Sequence, residues 1–250
     1  MSSFVFYLLI VLAFVALALA VLPLRPVTRG YALLAFALAV VGVGAVLRWP
    51  APAVRTAPGS GLLDSALPSY HFAERHRTRI CAAPQKIAEA IKQTRPGEIA
   101  WLGFLSVVRG LSTGSGRREK PVLDAALESN FVLLADTPIE LVLATGGEFW
   151  RYRASVAPDA PLRQKLLSAQ GDVAAFAALD LGGRPKAVFN FAVAPAPFGC
   201  QYLTTETRIY AADPSMLARF AAYWRVIQPG SALLRRSWLN AIRHRAEAKR

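Results

Sequence analysis

Acidic residues are missing from the first part of this 250-residue chain, and cysteine and histidine are scarce throughout it. Residues 1–61 contain four arginines but no Asp, Glu or Lys. The two cysteines and three histidines stand at no zinc-ligand spacing, so we expect no metal and no cofactor. No repeat period is visible, which argues against a solenoid or a propeller.

Positive charge is in excess, with a net charge of +13 at pH 7. Such a balance points to an anionic neighbour, and nucleic acid is one candidate. The sequence has no zinc-finger spacing, no glycine-aromatic sheet signature and no isolated basic tail. We therefore expect no nucleic acid. With membrane segments present, we expect membrane lipids as partners, although simple solvation of the charged side chains explains the excess better than either anionic neighbour. The oligomeric state stays open.

Two uncharged runs near the N-terminus predict a transmembrane hairpin over residues 1–49, with spans at 4–22 and 31–47. About 20 residues of helix are needed to cross roughly 30 Å of hydrocarbon. The alternative for the first run is a cleaved signal peptide. It lacks a basic leading segment and a second apolar run follows at once, so the hairpin is favoured.

The hairpin places the protein in the cell (inner) membrane as a two-span protein, and its charges leave the orientation open. Arg25 and Arg29 lie in the loop between the spans, and Arg48 and Arg55 follow the second span. The short uncharged N-terminal tail is easily translocated, which favours an external or periplasmic soluble domain. Residues 50–61 are rich in proline and glycine and predict a linker before a domain at 62–250.

Strand and helix patterns in that domain predict an α+β fold. Alternation at 70–81, 131–136, 139–145, 148–155, 185–195 and 201–210 predicts strands, and the second, third and fourth of these form a meander. Helical patterns cover 84–94, 97–108, 121–129 and 161–179. A C-terminal helix begins at Asp213-Pro214, and Pro229-Gly230 predicts a break or kink before a second helical run.

Four blocks resemble the START/polyketide-cyclase (SRPBCC) superfamily, specifically a membrane-anchored bacterial branch. They are EFWR at 148–151, KAVFNFAV at 186–193, LTTETRIY at 203–210 and FAAYWRVIQPGSALLRRSWLNAIRHRAE at 220–247. The resemblance implies a helix-grip fold, in which a curved antiparallel sheet surrounds a long C-terminal helix. The superfamily includes carriers, receptors and enzymes, so the fold alone does not fix the chemistry.

The function expected from this resemblance is binding of a hydrophobic or amphipathic small molecule, such as a lipid, between the sheet and the C-terminal helix. The alternatives are a cyclase- or hydrolase-like enzyme that uses the same cavity, and a scaffold whose cavity is filled. No catalytic residue is assigned. The candidate cavity residues are Trp101, Phe104, Arg109, Trp150, Phe189, Phe191, Tyr202, Thr204, Glu206, Phe220, Tyr223 and Trp224.

Several candidates have a plainer interpretation. Each aromatic side chain is also suited to a solid core, and Glu206 is also suited to an ion pair with Arg75 or Arg77 on the first strand. The segment 110–114 matches the GxSxG pattern of a hydrolase nucleophile. That pattern needs a strand before it and a helix after it, so we expect Ser112 not to be a nucleophile.

In a helix-grip sheet the first and last strands are antiparallel neighbours, which brings Cys81 near Cys200. Directly opposed ends give residue pairs that sum to 281, so that Arg75 faces Glu206. A disulfide then forms in an oxidising compartment. The alternative is two buried thiols that never meet.

Overall fold

The computed structural model describes residues 2–22, 25–56, 61–108, 120–151 and 160–248 of a mixed α+β protein. The chain divides into two compact units. One contains Met1–Ala51 and Ala218–Pro229, and the other contains Pro52–Leu217 and Gly230–Arg250. The C-terminal helix contributes residues to both units.

The N-terminal unit contains two apolar helices, α1 (Ser2–Val21) and α2 (Pro26–Leu47). Their length and composition are compatible with membrane spans, with mean hydropathies of 3.0 and 2.3. Small side chains are buried in the hairpin, including Ala16, Ala20 and Ala39, which lets helices pack closely. Most of the large apolar side chains of the hairpin are exposed, as lipid-facing residues are.

The second unit is built on an open antiparallel sheet of five strands in the order β3-β7-β6-β5-β4. These strands are β3 (Phe72–Ile80), β4 (Val132–Asp136), β5 (Glu140–Gly146), β6 (Lys186–Pro195) and β7 (Gln201–Tyr210). A separate two-stranded hairpin pairs β1 (Val54–Arg55) with β2 (Ser69–Tyr70). Part of the expected linker is therefore β-structure.

Helices cover both faces of the sheet. They are α3 (Leu62–Ala66), α4 (Pro84–Gln93), α5 (Leu102–Val108), α6 (Val122–Leu127), α7 (Ala160–Leu167), α8 (Val173–Ala178) and α9 (Pro214–Glu247). The inner face packs against α4 and the C-terminal part of α9, where Ile87 and Ile242 are fully buried. The outer face packs against α3, α7 and α8, around Leu166 and Phe176.

The pairing of β3 with β7 has the expected register. Arg75 lies opposite Glu206, and Ile80 lies opposite Gln201, so opposed residues sum to 281. Just beyond these ends, Cys81 and Cys200 have Cα atoms 4.1 Å apart and are joined by a disulfide. The two residues are 119 positions apart, and bonds that close loops of this length typically contribute about 2–4 kcal/mol.

Helix α9 is continuous over 34 residues, so of the break or kink expected at Pro229 the break is wrong and the kink stays a prediction. It begins where predicted, because the Asp213 side chain accepts a hydrogen bond from the Met216 amide. Pro229 removes the amide that would bond to the Arg225 carbonyl. The carbonyl of Val226, one residue further on, accepts a hydrogen bond from the hydroxyl of Tyr7.

Three other expectations need correction. Of the third meander strand expected at 148–155, residues 148–151 form a turn and 152–155 lie outside the described residues, and β5 pairs with β6. The helix expected over 97–108 is a 3-10 turn at Pro96–Glu98 followed by α5. The helix expected over 161–179 is two helices, α7 and α8.

Candidate functional site

The candidate site lies between the inner face of the sheet and the C-terminal part of α9. Its floor is aromatic, because Phe189 and Phe191 project from β6 and pack against Trp238 of α9. The Trp238 and Phe191 ring centroids are 5.0 Å apart, and those of Trp238 and Phe189 are 6.2 Å apart. All three residues are buried. This part of the interface is apolar and closely packed.

A buried carboxylate interrupts the apolar interface at its β3 edge. Glu74 is only 7% exposed. Its Oε2 accepts a hydrogen bond of 2.7 Å from Ser231 Oγ of α9, and its Oε1 lies 2.6 Å from His76 Nε2. Glu74 thus binds groups on both sides of the interface, the helix above and its own strand.

The guanidinium of Arg235 belongs to the same interface, one helical turn after Ser231. Its Cζ is 4.4 Å from the centroid of Phe189, a cation–π arrangement. Burial of the guanidinium lowers the pKa of Arg235 to about 10, and the negative charge of Glu74 acts in the opposite direction. The group is therefore still a cation at neutral pH, and its Nη1 is buried although the residue as a whole is half-buried.

Three buried polar atoms of this interface have no hydrogen-bond partner among the described residues: Arg235 Nη1, Trp238 Nε1 and Thr205 Oγ1. The three residues are connected through β6. Phe191 of β6 lies opposite Thr205 of β7 and contacts the ring of Trp238. Phe189, two residues earlier on β6, lies under Arg235. A buried polar atom without a partner costs about 1–3 kcal/mol, so each such group needs an explanation.

The hydrogen-bonding capacity of these unpartnered groups is mainly that of donors. Two of the three unpartnered atoms can only donate, and the third belongs to a hydroxyl, so together they suit an acceptor oxygen. The aromatic floor suits an apolar body. In the described residues of this interface, Ser231 and His76 form no direct serine–histidine pair, because both contact Glu74 rather than each other.

Of the candidate cavity residues that the structure describes, only Phe189 and Phe191 lie in this site. Tyr202, Thr204 and Glu206 occupy the alternate positions of β7 and face away from it, because Leu203 and Thr205 point inward. On that outer face Glu206 contacts Arg75 at 3.8 Å, which is the plainer interpretation given above.

Three other aromatic candidates, Trp101, Phe104 and Trp150, lie outside this site. Trp101 and Phe104 are 54% and 62% exposed, at the start of α5. Trp150 lies in the turn after β5. Arg109 and Ser112 lie outside the described residues, so their roles stay predictions.

The aromatic group of α9 belongs to a different unit from the sheet. Phe220, Tyr223 and Trp224 fall in the segment 218–229, which groups with the N-terminal hairpin. The rings of Phe220 and Trp224 stack with centroids 5.9 Å apart. The site therefore uses the later residues of the helix, which carry Ser231, Arg235 and Trp238.

The decisive polar residues, Glu74, Thr205, Ser231 and Arg235, were not selected from the sequence. The sequence pattern nevertheless indicates where some of these residues lie. Alternation along the first strand puts Glu74 on the same face as Ile80. On α9, residues 231, 235, 238 and 242 share a face at helical spacing. What the sequence did not show was which of the many arginines would be held out of water.

Comparisons with known proteins identify no family. No protein-family model and no curated protein matches the sequence. Two solved structures are weakly similar. The Thermus thermophilus protein TTHA0849 has 9% identity and a TM-score of 0.27, over 70% of this chain and 96% of that one. The di-domain ARO/CYC protein BexL of the BE-7585A biosynthetic pathway has 10% identity and a TM-score of 0.26, over 90% of this chain.

The chain spans 63% of the length of BexL. At such TM-scores the similarity carries no weight in the interpretation of the site.

The interaction of Glu74 with Arg235 predicts non-additive stability effects. Glu74→Ala removes the buried acceptor of Ser231 and a negative charge that favours the Arg235 cation, so we expect the free energy of unfolding to fall by about 1–3 kcal/mol. Adding Arg235→Met removes the uncompensated charge and should recover at least about 1 kcal/mol. Urea unfolding of both single variants and the double variant measures this coupling. Strictly additive losses would show that the two charges do not interact.

Proposed function

We propose that this protein is a membrane-anchored, START-like domain that binds an amphipathic small molecule, such as a lipid, between the sheet and the C-terminal part of α9. The proposal rests on one observation above all. Arg235 places a desolvated cation over an aromatic floor, and its Nη1 has no hydrogen-bond partner. A ligand that carries an acceptor oxygen next to an apolar body satisfies both parts of that surface.

The topology of the sheet supports the START-like part of this proposal. The first strand pairs with the last, and the long C-terminal helix lies across the inner face, as a helix-grip fold requires. The hydrophobic residues that would contact the ligand body are those that now pack on Trp238. Ligand binding therefore requires Trp238 or its neighbours to change rotamer.

Electrostatics favour an anionic or strongly polar ligand head. A cation removed from water costs several kcal/mol unless it is paired. Glu74 offsets only part of this desolvation cost, because its two carboxylate oxygens already contact Ser231 and His76. A phosphate or carboxylate oxygen near Arg235 Nη1 would supply a charge-assisted hydrogen bond, which is about twice as strong as a neutral one.

A scaffold with a filled interface is the second candidate. The observation in its favour is the close contact of Phe189, Phe191 and Trp238, whose rings occupy the space between sheet and helix. In that case the buried polar groups serve only to fix the position of α9.

Ligand retention distinguishes the two candidates. Full-length protein purified in mild detergent should carry a bound small molecule visible by native mass spectrometry, and Arg235→Met should lose it. Arg236→Met is the matched control, since Arg236 is the exposed neighbour on the same helix, and it should retain the ligand. Wild-type protein without any bound molecule would favour the scaffold. Equal retention by both variants would remove Arg235 from the site.

We also propose that the sheet domain faces an oxidising compartment, because a disulfide between Cys81 and Cys200 persists only there. The two spans put the N-terminus on that same side. Alkylation of protein taken from intact cells, before any reduction, should find no free thiol. Two alkylated thiols would place the domain in the reducing cytoplasm.

A further inference from the structure

The segment of α9 at 218–229 groups with the hairpin, and its contacts define where along the hairpin it lies. The hydroxyl of Tyr7, near the start of α1, donates to the carbonyl of Val226. The guanidinium of Arg225 donates to the carbonyls of Leu47 and Trp49, at the end of α2. The start of α1 and the end of α2 form the same end of an antiparallel hairpin. The segment is therefore held at the end of the hairpin where α2 finishes.

Arg225 supplies hydrogen-bond donors to free backbone carbonyls at this end of α2. The last carbonyls of a helix have no partner within the helix, and a cation there also interacts favourably with the helix dipole. Arg225 is only 2% exposed and bonds two carbonyl oxygens at this end. The contact is thus a buried attachment between α9 and the second span.

Tyr7 and Trp49 indicate the depth of the segment. Tyrosine and tryptophan side chains are enriched at the boundary between hydrocarbon and headgroups. Tyr7 is 38% exposed and Trp49 is 62% exposed, so each has surface free to meet that boundary. Residues 225 and 226, which bond to them, lie at the same level.

The outward face of the segment matches that environment. Phe220, Ala221 and Arg225 are buried, which leaves a face with Arg219 followed by Ala222, Val226 and Pro229. Val226 is 47% exposed. An apolar face with a cation beside it is the pattern of helices that lie in the membrane interface.

We propose that residues 218–229 of α9 lie in the headgroup layer of the membrane as a third membrane-associated element, with Val226 in contact with lipid and Arg219 among the headgroups. The partner is the lipid surface itself, which continues from the exposed apolar surface of the hairpin. This interaction surface does not depend on the ligand proposed above.

Fluorescence quenching by lipid nitroxides tests this proposal. Val226→Cys introduces a thiol for bimane labelling, because the two native cysteines are bonded to each other. The full-length variant is reconstituted into phosphatidylcholine vesicles that contain lipids with a nitroxide at the headgroup or at a shallow acyl carbon. We expect the label at 226 to lose most of its fluorescence.

Two further positions make the outcome decisive. Val11→Cys, in the middle of α1, should be quenched by nitroxides deep in the acyl chain. Gln164→Cys, an exposed residue of α7, should not be quenched by lipid. The proposal is overturned if label 226 is quenched no more than label 164. It is also overturned if label 11 is unquenched, since the hairpin would then lie outside the bilayer.

Discussion

The antiparallel pairing of β3 with β7 is the constraint on which the rest of the sheet domain depends. It joins the first strand of the five-stranded sheet to the last, and the Cys81–Cys200 disulfide closes the ends of the two strands. Because side chains alternate along a strand, a shift of one residue would turn Glu74 outward and expose Ile80. The register therefore decides both the apolar core and the position of the buried carboxylate.

Helix α9 contains two arginines with buried guanidinium nitrogens, and their hydrogen bonding differs. Within the described part of the chain, Arg225 has backbone acceptors at Leu47 and Trp49 for its two terminal nitrogens, whereas Arg235 keeps an unpartnered Nη1. The Nε of Arg225 is also buried without a partner there, so the contrast is confined to the terminal nitrogens. The unpartnered terminal nitrogen makes Arg235 the candidate for binding.

The features that could be predicted from the sequence are those set by hydrophobic periodicity and residue spacing. The two apolar helices, the start of α9 at Asp213 and the β3–β7 register all follow from local patterns together with the expected topology. Pro229 lies inside α9 and did not break it, and the helix on the N-terminal side of Pro229 makes tertiary contacts through Val226 and Arg225. Propensity is a weak prior in such cases.

The site itself was harder to predict, because burial of a charged residue is a tertiary property. Glu206 and Glu74 lie on neighbouring strands and both stand in an alternating strand sequence. Glu206 contacts the exposed Arg75, whereas Glu74 lies under α9. Only the face of each strand distinguishes them. The aromatic candidates failed for a related reason, since Trp101 and Phe104 look like core residues in sequence and are largely exposed.

The most direct test is an experimental density map of the full-length protein purified from membranes in mild detergent. The account predicts non-protein density between the sheet and α9, with a polar end within hydrogen-bond distance of Arg235 Nη1 and an apolar end along Phe189 and Phe191. A map in which side chains or ordered water alone satisfy Arg235, with Trp238 packed as described here, would contradict it.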